Sequence, residues 1–340
     1  MAEANDPPVT VDILEPDDQT AEDSGVDEAI DDASSTQSIS SSIFQYRVEN
    51  GRTYAIFGSG EYLLPNDDDE QERLGEFSLY QTPPRNWKRI LDVGTGTGIW
   101  AMDVADEHPE AEVLGVDLSP IQPSMYDSLW NTASLITERH KSRVPPNCRF
   151  EIDDLEDDWT FKHQFDFIFI RSMIASFKSW PDIFAKAFEN LEPGGYIEVQ
   201  DNVYPLASDN GTIHNTEILR WSTLMTDAAK KIGRSITVAP EFKSMLKDAG
   251  FIDIVEIKKR IPMNRWPKDS RYRELGIWSC SMLRSSLEGI SMGLLTKLGL
   301  TVDEVHAILA GVRRDLRSTK IHGYWYTYLV YARKPGNVTG

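Results

Sequence analysis

Cysteine, basic charge near the N-terminus and long apolar runs are all scarce in this chain of 340 residues. The two cysteines, Cys148 and Cys280, lie far apart without metal-ligand neighbours at motif spacing, which argues against a disulfide framework and a zinc site. No segment approaches the roughly 18 to 20 apolar residues of a membrane span. The start resembles neither a secretory signal nor a transit peptide. We therefore expect an intracellular, cytoplasmic protein, with the nucleus as the alternative.

Negative charge is unevenly distributed along the chain. Residues 1–42 contain 12 Asp or Glu and no Lys or Arg, so the formal net charge of -19 divides into -12 for this tail and -7 for the rest. Such a segment cannot bury enough apolar surface to offset its ordering entropy, and we predict a disordered acidic tail. Neither part has the dense basic surface that dominates nucleic-acid affinity, so we expect no direct DNA or RNA binding.

From residue 89 to about residue 335, short apolar segments alternate with helix-length segments. Five of them predict buried, parallel strands: "RILDVG", "AEVLGVDLS", "CRFEIDD", "FDFIFIRS" and "GGYIEVQD". Residues 202–249 look helical, "GFIDIVEIKKR" alternates like a half-buried strand, and "YWYTYLVYARK" is rich in β-formers. This order predicts a doubly wound, seven-stranded α/β sheet with an antiparallel edge, and residues 268–318 predict a helical cap.

Residues 43–88 precede this pattern and mix aromatic with charged residues. They end in "DDDEQERLGEF", which is typical of a helix start because acids suit the positive end of the helix dipole. We predict an N-terminal helical or lid segment here. Tyr54, Phe57 and Tyr62 could belong to a lid over a cofactor, or they could pack this segment on the sheet.

The segment "ILDVGTGTGIW" places a glycine-rich turn after the first buried strand. Its glycines, Gly94, Gly96 and Gly98, form G-x-G-x-G, whereas a dinucleotide fold uses G-x-G-x-x-G around an anionic pyrophosphate. Asp92, just before the turn, would repel a pyrophosphate but favour the cationic amino group and sulfonium of S-adenosylmethionine. The motif therefore predicts S-adenosylmethionine rather than NAD.

Acids follow two further predicted strands. Asp117 ends the second strand at the distance usual for a carboxylate that binds ribose hydroxyls, and Leu118 follows it. After the third strand, Asp154 could accept from an adenine amino group and Leu155 could offer its backbone beside the ring. Arg171, at the end of the fourth strand, completes the candidate cofactor set. A single Asp after a strand is more often a turn or helix cap, so the prediction depends on the combination.

These motifs resemble class I S-adenosylmethionine-dependent methyltransferases with a Rossmann-like sheet. "GVDLSPIQP", "VPPNCRFEIDDLEDDW", "LEPGGYIE" and the upstream "ENGRTYAIF" and "YLLPNDDDEQERL" are similar to the fungal LaeA-like group in particular. The resemblance implies the strand order 3-2-1-4-5-7-6 and a role around secondary metabolism. That role is either methyl transfer to a small-molecule acceptor or nuclear regulation of gene clusters through velvet-type protein partners.

Residues 125–143 depart from the family pattern, in which "SPIQP" is followed almost at once by "VPPN". Leu129, Ala133 and Ile136 lie on one face at helical spacing. The segment is either a genuine helix or translated sequence from an unremoved intron.

No nucleophile and base pair, and no metal cluster, stands out in the sequence. This fits direct in-line methyl transfer, in which the enzyme positions the reactants and excludes water. Candidate bases follow the fourth and fifth strands: Arg171, Ser172, Tyr204 and His214. With His322 equally ambiguous, we assign no catalytic residue.

Apolar residues of the predicted cap could wall an acceptor pocket. Ordinary core packing of the cap is the alternative, and the better one from sequence alone. The residues concerned are Trp278, Met282, Leu283, Leu294 and Leu295.

Overall fold

The computed structural model describes residues 14–17, 46–49, 52–57, 60–65, 79–118 and 144–336. The strands of these parts of the chain are β1 (Tyr46–Glu49), β2 (Arg52–Phe57), β3 (Gly60–Pro65), β4 (Arg89–Val93), β5 (Glu112–Asp117), β6 (Cys148–Ile152), β7 (Phe165–Arg171), β8 (Leu191–Ala207), β9 (Ile252–Pro262) and β10 (Tyr324–Arg333). The α-helices are α1 (Ile99–Glu107), α2 (Trp180–Asn190), α3 (Glu217–Lys231), α4 (Phe242–Asp248), α5 (Ser270–Leu298) and α6 (Val302–Arg317).

Seven of the strands form one sheet in the order β6-β5-β4-β7-β8-β10-β9. The first five run parallel, and β10 pairs antiparallel with both β8 and β9. Counted from β4 to β10, this is the order 3-2-1-4-5-7-6. The predicted fold class, a doubly wound Rossmann-like sheet with an antiparallel edge, is confirmed.

The parallel strands read as apolar runs because helices cover both faces of the sheet. Side chains alternate between the two faces along each strand. Ile90 and Phe167 pack with α1 on one face, where the Trp87 ring stacks on Phe167 at a centroid distance of 5.0 Å. Leu91 and Ile168 pack with α2 and α4 on the other. The carboxyl ends of the parallel strands are thereby held at one edge of a rigid core.

A fully buried acid fixes the segment that leads into this sheet. The side-chain oxygens of Glu198, on β8, accept hydrogen bonds from the Gln81 N–H at 2.9 Å and from the Thr82 N–H at 2.8 Å. The Thr82 hydroxyl donates to the same carboxyl group at 2.6 Å, and so does the Gln200 amide at 2.6 Å. The chain before β4 is thus attached to the middle of the sheet by several buried hydrogen bonds.

The helices α3, α5 and α6 form the cap around a second apolar core. Trp221 lies at its centre, fully buried, and its indole N–H donates to Ser291 Oγ at 2.8 Å. Thr301 and Glu304 form a reciprocal capping box at the start of α6. No helix in the described ranges is long and apolar enough to cross a bilayer. The predicted helical cap is confirmed.

The stretch predicted as helical after Asp201 begins instead as a strand. β8 continues to Ala207, because residues beyond the parallel sheet still pair with the start of β10. Helical structure then follows in α3 and α4, with a short 3₁₀ turn between them at Ala239–Glu241. The helical prediction for residues 202–207 is wrong, since β10 supplies the hydrogen bonds that keep this segment extended.

The prediction of a helical or lid segment at residues 43–88 needs revision in part. β1, β2 and β3 form an antiparallel three-stranded sheet, so residues 46–65 contribute strands. The predicted helix at "DDDEQERLGEF" lies outside the described residues, as do the side chains of Tyr54, Phe57 and Tyr62. The segment at residues 125–143 also lies outside them, so its two interpretations stay open.

The predicted disordered tail contains one ordered contact. Residues 14–17 lie against the connection between β9 and α5, and Leu14 is buried there. For these residues the prediction of disorder is wrong, because one leucine finds an aromatic pocket. The remainder of residues 1–42 lies outside the described parts of the chain.

Glu198→Ala should lower the free energy of unfolding by about 3 kcal/mol, because it leaves the buried donors of Gln81 and Thr82 without their acceptor. Urea denaturation measures the change. Glu189→Ala, which removes an exposed carboxyl from α2, is the control and should change stability by less than about 0.5 kcal/mol. Equal effects of the two substitutions would contradict an anchoring role for Glu198.

Candidate functional site

The chain between β4 and α1 makes a tight turn at the carboxyl edge of the sheet. The N–H groups of Gly94 and Thr95 donate to the carbonyl of Val116 on β5, at 2.9 and 3.0 Å. Gly94, Gly96 and Gly98 have φ values of 72°, 57° and 81°. Glycine adopts this left-handed conformation without the penalty that a Cβ imposes. The glycine spacing is therefore explained by backbone geometry.

Two of these glycines are also required by packing, whereas Gly96 faces open space. A Cβ on Gly94 would lie 2.1 Å from the sulfur of Met173, and one on Gly98 would lie 2.5 Å from the ring of Phe150. Among the residues that the structure describes, a Cβ on Gly96 would meet no heavy atom within 4 Å. Within those described parts of the chain, the Gly96 position leaves room for a ligand close to the backbone.

Asp92 lies directly behind this turn and is 3% exposed. Its carboxylate accepts a hydrogen bond from Thr95 Oγ1 at 2.6 Å. Burial raises the pKa of Asp92 to about 6, opposed by the Thr95 hydrogen bond and the positive charge of Arg171, while the negative charge of Asp117 adds to the rise. A cation placed beside this carboxylate would stabilise its ionised form.

Asp117 ends β5 next to the turn. Its Oδ2 accepts a hydrogen bond from the Gly96 N–H at 2.9 Å, so the second predicted acid contacts the glycine that faces open space. Leu118 follows with 66% of its surface exposed. The predicted pair thus lies beside the glycine turn, with an apolar side chain available to a ligand.

The third predicted pair follows β6, the neighbour of β5. Asp154 Oδ1 accepts from the Glu156 N–H at 2.9 Å, which is the turn-forming role expected of a lone Asp after a strand. Leu155 is buried, and its carbonyl accepts from the Trp159 indole at 3.0 Å and from Lys186 at 3.4 Å. These contacts fix the loop without involving the Asp154 Oδ2 atom.

A fourth acid, Asp201, holds the loop after β7 and was missed by sequence reasoning. Its Oδ2 accepts from the N–H groups of Met173 and Ile174 at 2.8 and 2.9 Å, and burial raises its pKa to about 7. Met173 is thereby positioned against Gly94. Arg171, at the start of this loop, is exposed. The only available signal was the acid that ends the "GGYIEVQD" strand, which was interpreted only as part of that strand.

A comparison with protein families matches residues 55–256 to a family described as "Methyltransferase domain". The match covers more than half of the chain and includes every strand end described above. The chain belongs to this methyltransferase family. The predicted class of enzyme, an S-adenosylmethionine-dependent methyltransferase, is confirmed.

Two curated relatives cover most of this methyltransferase. Methyltransferase pytC of Aspergillus terreus is 36% identical over 322 residues, which span 90% of this chain and 94% of that protein. Secondary metabolism regulator LAE1 of Cochliobolus heterostrophus is 34% identical over 308 residues, which span 85% of this chain and 94% of that protein. Among solved structures, phosphoethanolamine N-methyltransferase 2 of Haemonchus contortus in complex with S-adenosyl-L-methionine has a TM-score of 0.46 and 18% identity, covering 79% of this chain and 52% of that chain.

The residues at the carboxyl edge of this methyltransferase fit S-adenosylmethionine. The buried Asp92 suits a cationic group, and the open space at Gly96 admits a ligand close to the backbone. Asp117 has two carboxylate oxygens with several acceptor positions, so it can accept from ribose hydroxyls while it holds Gly96. A phosphate-bearing ligand would instead meet two acids within the same turn.

The candidate bases are mostly engaged in structure. Ser172 has a φ of 56° in the loop after β7, and its N–H donates to the Gln200 carbonyl at 3.0 Å. Burial raises the pKa of Tyr204 to about 12, which keeps its hydroxyl protonated at neutral pH. His214 is exposed, and His322 stacks on Trp266 at 5.0 Å. Within the described residues, no group of three or more His, Cys, Asp or Glu could hold a metal ion.

The apolar residues predicted to line a pocket divide into two groups. Leu283 and Leu295 are buried in the cap core, with Leu294 packed partly against it. For these three, core packing is the interpretation that the structure supports. Trp278 and Met282 are 39% and 55% exposed on α5. They lie on the surface of the cap, so a pocket wall formed by all five residues is not observed.

Gly98→Ala should destabilise the protein more than Gly96→Ala. Both substitutions carry the left-handed penalty of about 1 to 2 kcal/mol. Only Gly98→Ala also forces a Cβ against the Phe150 ring, which costs about 1 to 3 kcal/mol more. Urea denaturation of the two variants tests this difference, and equal losses would contradict the packing at Gly98.

Proposed function

We propose that this methyltransferase binds S-adenosylmethionine at the carboxyl edge of the sheet and methylates a small, largely apolar metabolite of fungal secondary metabolism. The cofactor residues in this proposal are Asp92, Gly94, Gly96, Gly98, Asp117, Leu118, Asp154, Leu155 and Arg171. Asp92 is the main support for this cofactor, because a buried carboxylate behind an open glycine turn attracts a cation and repels a phosphate.

The donor supplies a methyl group on a positively charged sulfur, so transfer requires no covalent intermediate on the enzyme. The chain contributes position and electrostatics. Asp92 holds a positive group of the donor, and Asp117 fixes the ribose through its hydroxyls. Leu118 borders the adenine, and Leu155 offers its backbone beside the ring. Asp154 accepts a hydrogen bond from the adenine amino group. No residue is required to form a covalent bond, and a base is needed only for an acceptor that arrives protonated.

The packing of the loop after β7 supports an acceptor site between this edge and the cap. Ile174 and Ala175 pack partly against the apolar core of the cap, and so does Tyr204 at the end of β8. The same loop holds Met173 against Gly94, so the glycine turn and the cap have a common boundary. Apolar surroundings at that boundary favour a small apolar acceptor over a charged macromolecule. We place this reaction in the cytoplasm.

A regulatory function is the second candidate, favoured by the 34% identity to Secondary metabolism regulator LAE1. In that case the cofactor fold would serve as a platform for velvet-type protein partners in the nucleus. The 36% identity to Methyltransferase pytC favours the enzyme to a similar degree, so overall similarity does not distinguish the two.

Affinity for S-adenosylmethionine should depend on pH through Asp92. Burial raises the pKa of Asp92 to about 6, so the protonated carboxyl is the form that the folded protein favours. The contribution of this group to folding stability is fully present below its ordinary pKa of 3.8 and is lost as pH rises through 6. A bound cation lowers that pKa, and binding below it must release a proton. Calorimetry should therefore show the affinity falling by up to about tenfold per pH unit below about pH 6.

Asp92→Asn should bind S-adenosylmethionine at least about tenfold more weakly at pH 7.5 and should lose this pH dependence. Asp227→Asn, on the exposed side of α3, is the matched control and should keep both properties. If Asp92→Asn retains full affinity, or if NAD binds as tightly, the cofactor assignment is wrong.

The acceptor class can be tested in strains of the source organism. Under the proposal, an Asp92→Ala strain loses one methylated compound and accumulates its unmethylated precursor, while transcripts of unrelated clusters stay level. Metabolite profiles and transcripts of wild-type, deletion and Asp92→Ala strains measure both. Under the regulatory alternative, deletion silences many clusters, and the Asp92→Ala protein, at wild-type abundance, restores them.

A further inference from the structure

A short piece of the acidic tail is docked on the body of the protein, far from it in sequence. Residues 14–17 lie antiparallel to the segment around Pro267, which connects β9 to α5. The Asp17 N–H donates to the Trp266 carbonyl at 3.1 Å, and the Lys268 N–H donates to the Glu15 carbonyl at 2.9 Å. The tail therefore adds to an exposed edge by main-chain hydrogen bonds, as extended peptides do in recognition domains.

One apolar side chain anchors this contact. Leu14 is 7% exposed and packs with Trp266, Tyr272 and Tyr324, all of them buried. The pocket is rigid, because the Trp266 indole donates to the Gly323 carbonyl at 2.9 Å and its ring stacks with His322. An aromatic pocket whose walls are fixed by their own hydrogen bonds can receive a leucine without rearrangement.

An arginine beside the pocket receives the acid of the tail. Arg273 Nη2 donates to Asp17 Oδ2 at 2.6 Å, and the Asp17 side chain is 15% exposed. The same guanidinium donates to the carbonyls of Pro267 and Lys268, at 3.1 Å each. These bonds orient Arg273 from its own side, so its direction does not depend on the tail.

The chain segment that forms one side of this groove is basic, although one of its arginines, Arg260, is paired with Asp209 at 2.6 Å. Residues 258–273 contain seven Lys or Arg and a single Asp, although the chain as a whole is strongly acidic. Residues 11–20, which include the docked segment, contain four acids and no base. Complementary charge speeds encounter and disfavours basic partners.

We propose that this groove, formed by Trp266, Tyr272, Arg273 and Tyr324, is a docking site for acidic peptides of the pattern Leu-x-Pro-Asp. Its ligand is such a segment of a partner protein, and residues 14–17 occupy the groove in its place when the partner is absent. Between the described residues, the contact consists of one apolar side chain, one ion pair and two main-chain hydrogen bonds, which is small enough to exchange. The site is separate from the cofactor edge and does not depend on the proposed methyl acceptor.

Exchange has a measurable consequence, because a tethered tail competes within the same molecule at an effective concentration set by the length of its tether. A fluorescent peptide of residues 11–20, "VDILEPDDQT", should bind the full chain weakly. A full chain with Leu14→Ala and Asp17→Ala, in which the tail no longer competes, should bind it at least about fivefold more tightly by fluorescence polarisation.

Controls separate the groove from general charge attraction. The chain with Leu14→Ala and Asp17→Ala is called the vacated chain below. In it, Arg273→Glu should abolish peptide binding, and a peptide with Asp17→Arg should restore it. Lys162→Glu, an equal change of charge at an exposed site before β7, should leave binding unchanged. A scrambled peptide of the same composition should not bind, and thermal melting shows that each variant is folded.

Three outcomes would overturn the proposal. The vacated chain could bind the peptide no more tightly than the wild type, which would show that the tail and the peptide do not compete for one groove. The scrambled peptide could bind equally well, which would reduce recognition to charge. The wild type could form a dimer that Leu14→Ala dissolves, which would assign the groove to the tail of a second copy.

Discussion

The hydrogen bonds that Asp201 accepts from Met173 and Ile174 connect three parts of the proposed cofactor edge. Ser172 and Ala175, on either side of these amides, both have positive φ, a conformation that non-glycine residues adopt only when their surroundings enforce it. The buried carboxyl group supplies that constraint. It holds Met173 against Gly94. The glycine turn also contacts Asp92, at the end of β4, and Asp117, at the end of β5.

Three acids of the sheet are buried, and their partners distinguish their roles. Glu198 and Asp201 each accept several hydrogen bonds that include backbone N–H groups, so their burial is compensated within the fold. Asp92 accepts from the hydroxyl of Thr95 and lies behind the open space at Gly96. A carboxyl with fewer internal donors gains most from an external cation. The electrostatics of the edge therefore favour a positively charged ligand at Asp92 in particular.

The cap and the tail give this methyltransferase a second, different surface. The basic segment at residues 258–273 starts on β9 and ends in the first turn of α5. Its charge lies where β9 and β10 extend past the parallel strands, since Pro262 pairs with Tyr324 there. The acidic groups of the cofactor edge and the basic groups of the docking groove are thus carried by different strands of one sheet, β4 and β5 for the acids and β9 with its connection to α5 for the bases. Ligands of opposite charge can be recognised without competing for the same residues.

The sequence by itself predicted the alternation of strands and helices, the antiparallel edge and the positions of the acids at the first two strand ends, while the strand order came from the resemblance to class I methyltransferases. Apolar runs and glycine spacing are local patterns, and they follow from burial on two faces and from left-handed backbone angles. Only the tertiary structure decided which residues complete the edge. Met173 meets Gly94 because Asp201, 28 residues further along the chain, holds its amide. Likewise β8 stays extended past residue 201 because β10 pairs with it. Leu14 is buried although the sequence around it predicts disorder. The aromatic pocket that it occupies consists of residues some 250 to 310 positions away in the chain, so no local pattern indicates it.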